Sequence, residues 1–307
     1  MAELSHRALR ELIEVYGGAD EYFSEMISAS ALTAGGPFEK YYLDGGPRPE
    51  RFVYQLCGSN TGSLSKAVEM LDRRQCAGID INMGCSAPAI VRQGMGAAWL
   101  SRPDEAGRLI NALRPLTTKR LSVKLRTGGP KDDFEYLLNF CRRLESEGVD
   151  MITLHPRATN EKLKRRAKWD YVTKLAAGLS IPVTGNGDID SYETCLRRAG
   201  GQPVSALMLG RLAVREPWIF ARIAAGGDFR APLFVECALM FIEFLVRFQP
   251  AEFFESRARR FFKYYCENFT WGTYLFNKIA RETTAHGIAK ALNSFGGSPD
   301  SRSPALA

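Results

Sequence analysis

Histidine is scarce in this sequence: His6, His155 and His286 are the only three among 307 residues, and they stand far apart. A histidine-rich metal centre is therefore not indicated, because such ions need several ligands converging from short motifs. Seven cysteines, Cys57, Cys76, Cys85, Cys141, Cys195, Cys237 and Cys266, make an odd number with no Cys-x-x-Cys spacing. That argues against both a disulfide framework and a zinc site, and no metal is expected. Also missing is an apolar run of the roughly 18 residues a membrane helix needs. The richest stretch, Ala238 to Phe248, is interrupted by Glu243 and Arg247. With no signal-peptide pattern either, the expectation is a soluble, monomeric, cytoplasmic protein without a membrane partner. No Gly-x-Gly-x-x-Gly joins a first strand to a helix, which removes the dinucleotide-binding fold built on that motif.

What is present suffices for a large core. Apolar residues make up 45% of the chain, and the length accommodates a barrel of roughly 200 to 250 residues with a small appended domain. A net charge of +7 and a pI near 9.0 suit a polyanionic partner, although many proteins that never meet nucleic acid are as basic.

Leu4 to Tyr16 carries apolar residues on one helix face and ends at Gly17-Gly18. Strands are expected at Glu25–Ser28, Arg51–Leu56, Gly78–Asn82, Leu121–Arg126, Asp150–His155, Ile181–Gly185 and Ser205–Gly210. Helices at Thr61–Arg74, Asp104–Leu113, Asp132–Glu147, Trp169–Ala177 and Ser191–Ala199 alternate with the later strands, the signature of parallel βαβ units. Gln55, Asn82, Lys124, Arg126, His155, Asn186, Asp188 and Arg211 all fall at or just past strand C-termini. An open doubly wound sheet gathers its site at one switch point, whereas a barrel draws from every strand end, so the α/β TIM barrel is favoured. Beyond Gly226-Gly227 only helices are expected, at Leu233–Phe248, Ala251–Phe269, Thr273–Thr284 and Ile288–Ser294. The expected domains are thus a barrel over 1–227, a small helical bundle over 228–295 and a Gly/Ser/Pro-rich disordered tail over 296–307.

The most specific stretch is Gly78 to Leu100, GIDINMGCSAPAIVRQGMGAAWL. Ile79 and Ile81 mark a short buried strand, and Met83 to Pro88 cannot continue it, so Cys85 sits on a loop at the strand's C-terminal edge. A reactive group belongs there in a barrel, although a single cysteine is more often a small buried hydrophobe. Gly94-Met95-Gly96-Ala97-Ala98 lets backbone approach something flat or another backbone, and Ser101 and Pro103 look like a helix start.

Three further clusters stand at strand ends. Lys124 and Arg126 share a strand face, where they are either site cations or solvated. His155 follows an apolar strand and is either structural or a hydrogen-bond donor at the mouth. Asn186-Gly187-Asp188 and Gly210-Arg211 offer backbone amides and a cation for a phosphate, although a tight turn explains the first equally well.

Taken together these residues resemble the tRNA-dihydrouridine synthases. The resemblance rests on Asn82-Met83-Gly84-Cys85 followed by Val91, Gly94, Gly96-Ala97-Ala98 and Leu100; on Gln55, Lys124 and Arg126, His155 and Arg157; on Trp169 after a basic stretch from Lys162 to Arg166; on Asn186 to Ile189; and on Gly210-Arg211 with Pro217-Trp218. The proline usual after the cysteine is here Ser86. The resemblance implies FMN held by Met1, Gln55, Lys124, His155, Asn186, Gly187, Asp188, Gly210 and Arg211, with NADPH as its reductant. It implies a tRNA uracil positioned by Asn82 and Arg157, hydride delivered from the flavin to C6, and Cys85 protonating C5. A free thiol is protonated at neutral pH and suits that acid role. Arg257, Arg259, Arg260 and Lys263 on one helix would help hold tRNA, unless they are only a solvated face. Two rival functions are an FMN barrel acting on a small molecule, like dihydroorotate dehydrogenase, and an inactive RNA-binding relative.

The resemblance also predicts a missing part. The barrel needs eight strands and seven are counted. Met1 stands where the family's first strand ends in Ala-Pro-Met, so the complete protein is expected to begin upstream with that strand.

Overall fold

The computed structural model describes residues 1–128, 133–161, 165–201 and 203–296. Seven strands form one sheet in simple sequence order: β1 (Tyr22–Ser28), β2 (Phe52–Cys57), β3 (Gly78–Met83), β4 (Arg120–Thr127), β5 (Met151–Ala158), β6 (Val183–Asn186) and β7 (Ala206–Met208). Each pair from β2 to β7 is parallel. Every residue of β2 and β3 is buried, as strands covered on both faces must be. Sequential parallel strands joined by helices make this a TIM-type α/β sheet.

Compact packing divides the chain into two units. The strand unit comprises Met26–Leu43 and Pro49–Leu209. Several of its helices start where short polar side chains satisfy the first free amides: Asn60 accepts from Ser63, Asp133 from Tyr136 and Ser191 from Thr194. Ser101 does not cap a helix. It ends a 3-10 turn, Gly96–Ser101, and the helix begins at Pro103 with Asp104 and Glu105 in its first turn. The stretch from Gly35 to Pro49 contains a short helix, Glu39–Tyr42.

The second unit comprises Met1–Glu25, Asp44–Arg48 and Gly210–Ala307. The composition change after Gly226-Gly227 lies within it. The helix Arg7–Val15 packs on Phe234–Phe248, and Phe241, Phe261 and Tyr265 stack in the core. The expected Ala251–Phe269 helix is a 3-10 turn, the helix Phe254–Tyr265 and a second 3-10 turn. Arg257 is not on its basic face. It is buried against Glu25 at 3.0 Å. Arg259 pairs with Glu255 and Arg260 with Glu3, leaving Lys263 as the exposed cation of the group without an acidic partner among the described residues. The expected tail lies, beyond Gly296, outside the described residues.

Candidate active site

The period of two along a strand puts Asp80 and Asn82 on one face of β3. Register then sets Gln55 on β2 opposite Asp80, and Ser122 and Lys124 on β4 opposite Asp80 and Asn82. A continuous chain of hydrogen bonds results. Ser122 Oγ donates to Asp80 Oδ1 at 2.7 Å, Gln55 Nε2 to Asp80 Oδ2 at 2.9 Å, and Asn82 Nδ2 to Gln55 Oε1 at 2.9 Å. Asn82 Oδ1 accepts the backbone N–H groups of Gly84 at 3.1 Å and Cys85 at 2.9 Å. Burial pushes the Asp80 carboxyl up to about 6, and the bonds from Ser122 and Gln55 and the charge of Lys124 limit the rise. It is ionised at neutral pH. Asp80 was not singled out by the motifs, although a carboxylate inside a fully buried apolar strand is itself the signal.

The loop carrying Cys85 is fixed through its main-chain groups, by one side chain and one backbone partner. Asn82 holds its start, and Cys85 O accepts the N–H of Ala97 at 2.9 Å. Gly96 has φ +60, and a Cβ there would stand 2.5 Å from Cys85 O and 2.9 Å from Ile90 Cγ2. The small-residue run therefore serves a backbone-to-backbone approach. The Cys85 thiol is partly exposed and makes no hydrogen bond with the described residues. Cys57, at the end of β2, is buried nearby. Burial and then the proximity of Cys85 push its thiol up to about 11.

On β4 the two cations of one face have different fates. Arg126 donates to the carbonyls of Ala158 at 3.2 Å and Glu161 at 3.3 Å. Lys124 makes no hydrogen bond or ion pair with the described residues, and burial lowers its ammonium to about 8 against the opposing pull of Asp80. It remains a cation at neutral pH. His155 Nε2 lies 2.9 Å from Arg157 Nη1. A guanidinium can only donate, so Nε2 is the acceptor and the neutral ring carries its proton on Nδ1. Burial, then the charges of Lys124, Arg126 and Arg157, lower His155 to about 3. Its Nδ1–H has no partner among the described residues.

Arg157 is 1% exposed and wholly committed within the chain. It donates to His155, to Arg165 O at 2.7 Å and to Asp188 Oδ1 at 2.5 Å. Asp188 Oδ2 in turn accepts the N–H of Ala167 at 2.7 Å. Gly187, at φ +100, lies against the imidazole, for a Cβ there would be 2.6 Å from His155 Cδ2. Its carbonyl accepts Trp169 Nε1 at 2.8 Å. Asn186 Nδ2 donates to Met208 O at 2.7 Å, tying β6 to β7. In the basic stretch, Lys162, Leu163 and Lys164 lie outside the described residues, while Arg165 and Arg166 are exposed.

Of the expected site, then, Gln55, Asn82 and Cys85 form one bonded group, and His155, Arg157 and Asp188 form another, with Gly187 packed against the imidazole. Lys124 is charge-coupled to Asp80 of the first and to His155 of the second. Met1, Gly210 and Arg211 belong to the other compact unit. There a Cβ on Gly210 would stand 3.1 Å from Met1 Sδ, and Arg211 is exposed at the start of the five-residue helix Arg211–Arg215. Among the described residues no cluster of His, Cys, Asp and Glu could hold a metal, and no helix is long and apolar enough to cross a membrane.

A family model described as "Dihydrouridine synthase (Dus)" matches residues 1–269. The chain belongs to the dihydrouridine synthase family. It is 33% identical over 224 residues to tRNA-dihydrouridine synthase B of Vibrio cholerae, covering 73% of this chain and 69% of that protein. It is 29% identical over 239 residues to a probable tRNA-dihydrouridine synthase of Aquifex aeolicus, covering 76% of this chain and 73% of the relative. A tRNA-dihydrouridine(47) synthase [NAD(P)(+)]-like protein of Xenopus tropicalis is 31% identical over 208 residues, 67% of this chain. The match spans only 32% of that longer relative. Among solved structures, histamine dehydrogenase from Rhizobium sp. 4-9 shares the fold with a TM-score of 0.53 at 12% identity, over 78% of this chain and 46% of its own.

Proposed function

We propose that this protein reduces a uracil base of tRNA to dihydrouracil in the cytoplasm, with FMN as cofactor, NADPH as reductant and Cys85 as proton donor. The residues fit a flavin. Lys124 is a cation without a partner among the described residues, and the His155 Nδ1–H is an uncommitted donor; both suit the polar edge of an isoalloxazine and the negative charge of its reduced form. Gly187 keeps open the space beside the imidazole that any side chain would fill. When bound, FMN supplies the hydride and NADPH restores it.

The chain's own part is binding, orientation and one proton. Lys124 and His155 hold the cofactor edge, with Arg157 and Asp188 fixing the imidazole. The family resemblance alone assigns Gly210, Arg211 and Met1 to the cofactor. Cys85 Sγ holds the proton destined for uracil C5, and Asn82 holds Cys85. A uridine stacked in the tRNA hides C5 and C6, so the target base must be splayed out to reach this thiol. The observation that carries the reading is a thiol left uncommitted on a loop whose backbone is held by the Asn82 side chain and by the N–H of Ala97.

The test is Cys85→Ala. The variant should keep its flavin absorbance and its NADPH oxidation while dihydrouridine formation falls by about 10² to 10⁴, the usual contribution of a general acid. Near-normal product formation would remove Cys85 from the proton step. A purified chain that carries no flavin and changes no uridine would remove the enzymatic reading altogether.

A further inference from the structure

We propose that Asp80 is a positioning residue: as an acceptor-only carboxylate it forbids reversal of a buried hydrogen-bond chain through Gln55 and Asn82 that ends on the backbone of the Cys85 loop. Asp80 and Ser122 are fully buried, and Gln55 and Asn82 nearly so, at 7% exposed each. An amide side chain presents a donor at one end and an acceptor at the other, and either orientation fits the same space. What selects one orientation is the identity of the groups at the ends of the chain.

Both ends here make the same demand. Ionised Asp80 can only accept, so Gln55 must turn Nε2 toward it and leave Oε1 for Asn82. Asn82 must then turn Nδ2 toward Gln55, which leaves Oδ1 for the N–H groups of Gly84 and Cys85. Those N–H groups can only donate. Reversing the two amides would set nitrogen against nitrogen at the loop and oxygen against oxygen at Asp80, each a buried mismatch. Asp80 thus reaches Cys85 through three bonds without touching it, and Lys124, set opposite Asn82, supplies the charge that favours the ionised carboxylate.

A direction, unlike mere filling of space, can be reversed and restored. In Asn82→Asp the new carboxylate must accept from Gln55, which has only one Nε2 to face two acids, so two oxygens meet. Adding Asp80→Asn supplies a donor at the far end, Gln55 turns round, and every group is satisfied again with the same number of atoms. The pair Gln55→Glu and Asp80→Asn works by the same logic, since the carboxylate at position 55 then accepts from both neighbours. Asp80→Asn alone keeps the original direction, because Ser122 Oγ can accept as well as donate.

The measurement is the melting midpoint of the full chain together with amide hydrogen exchange at Gly84 and Cys85. Asn82→Asp should lower the midpoint and cut protection at the two amides by about tenfold, the order expected for a mispaired buried polar group. The double variant should recover protection to within about threefold of the parent, and Asp80→Asn alone should change it by less than about threefold. If Asn82→Asp does not fold, the Gln55→Glu pair gives the same comparison. Additive losses in the double variants would overturn the proposal. Because neither readout requires tRNA or flavin, its failure is separable from failure of the tRNA reading.

Discussion

At His155 three cations and burial outweigh a single carboxylate, Asp188, and the ring is left neutral. Its value of about 3 lies below the ordinary 6.5, so the unfolded chain binds the proton more readily and stability falls as pH drops below about 6.5. We expect nitrogen-15 spectra to show one neutral tautomer, protonated on Nδ1, from pH 8 down to pH 5. We also expect no limb near pH 6.5 from this group in the activity profile. An imidazole titrating between pH 6 and 7 would contradict both. The residues at this scale were legible in part. Lys124, His155 and Cys85 stood out because polar or reactive side chains at strand ends are conspicuous. Asp80 did not, because its role depends on Gln55 and Ser122, 25 and 42 residues away, and register rather than pattern brings them together. Arg157, expected at the substrate, is bonded to Asp188, a partner 31 residues further on that no local pattern points to.

Strands and long helices followed from alternation and apolar spacing, and all seven strands stand where the sequence placed them, with shifted ends. Elements of four to six residues, such as Pro88–Val91 and Ile219–Ala224, were not legible, since a single turn carries too few residues to show a period. The loop after β6 depends on one position. Gly187→Ala would combine a left-handed backbone with a clash at the imidazole, so the ring must move. We expect loss of bound flavin with the far-ultraviolet circular dichroism retained, and a variant with normal flavin content would separate this loop from the cofactor. On the helix Phe254–Tyr265 the basic run loses Arg257 to the core and two of its members to acidic partners. If this face meets phosphate, Arg259→Gln with Lys263→Gln should weaken tRNA binding and reduce the salt slope by up to about two, one for each contact removed. Unchanged affinity and slope would mean that the face is only solvated.

Over the whole molecule the two compact units are not two consecutive lengths of chain. Among the described residues, 1–25 and 44–48 pack with 210–296. Composition pointed to a boundary near Gly227 because it reports where strands give way to helices, not which segments return to one another. The buried ion pair Arg257–Glu25 joins residues 232 apart in sequence. Arg257→Ala should destabilise the protein by about 3–5 kcal/mol by leaving a buried carboxylate unpaired, whereas Arg257→Met with Glu25→Gln should cost clearly less. Denaturant midpoints of the two variants decide it, and equal losses would mean that the pairing is incidental.

The same arrangement sets an order of events at the ribosome. The helix Arg7–Val15 leaves the exit tunnel with its buried face, Ala8, Leu9, Leu12 and Ile13, ready to pack. Its partner Phe234–Phe248 is still more than 200 codons away. At about 5–20 residues per second the nascent chain must carry that apolar stripe for roughly 10 to 45 seconds before translation delivers the surface that covers it. An apolar stripe left uncovered for that long makes this helix the segment on which a ribosome-bound chaperone would be expected to act.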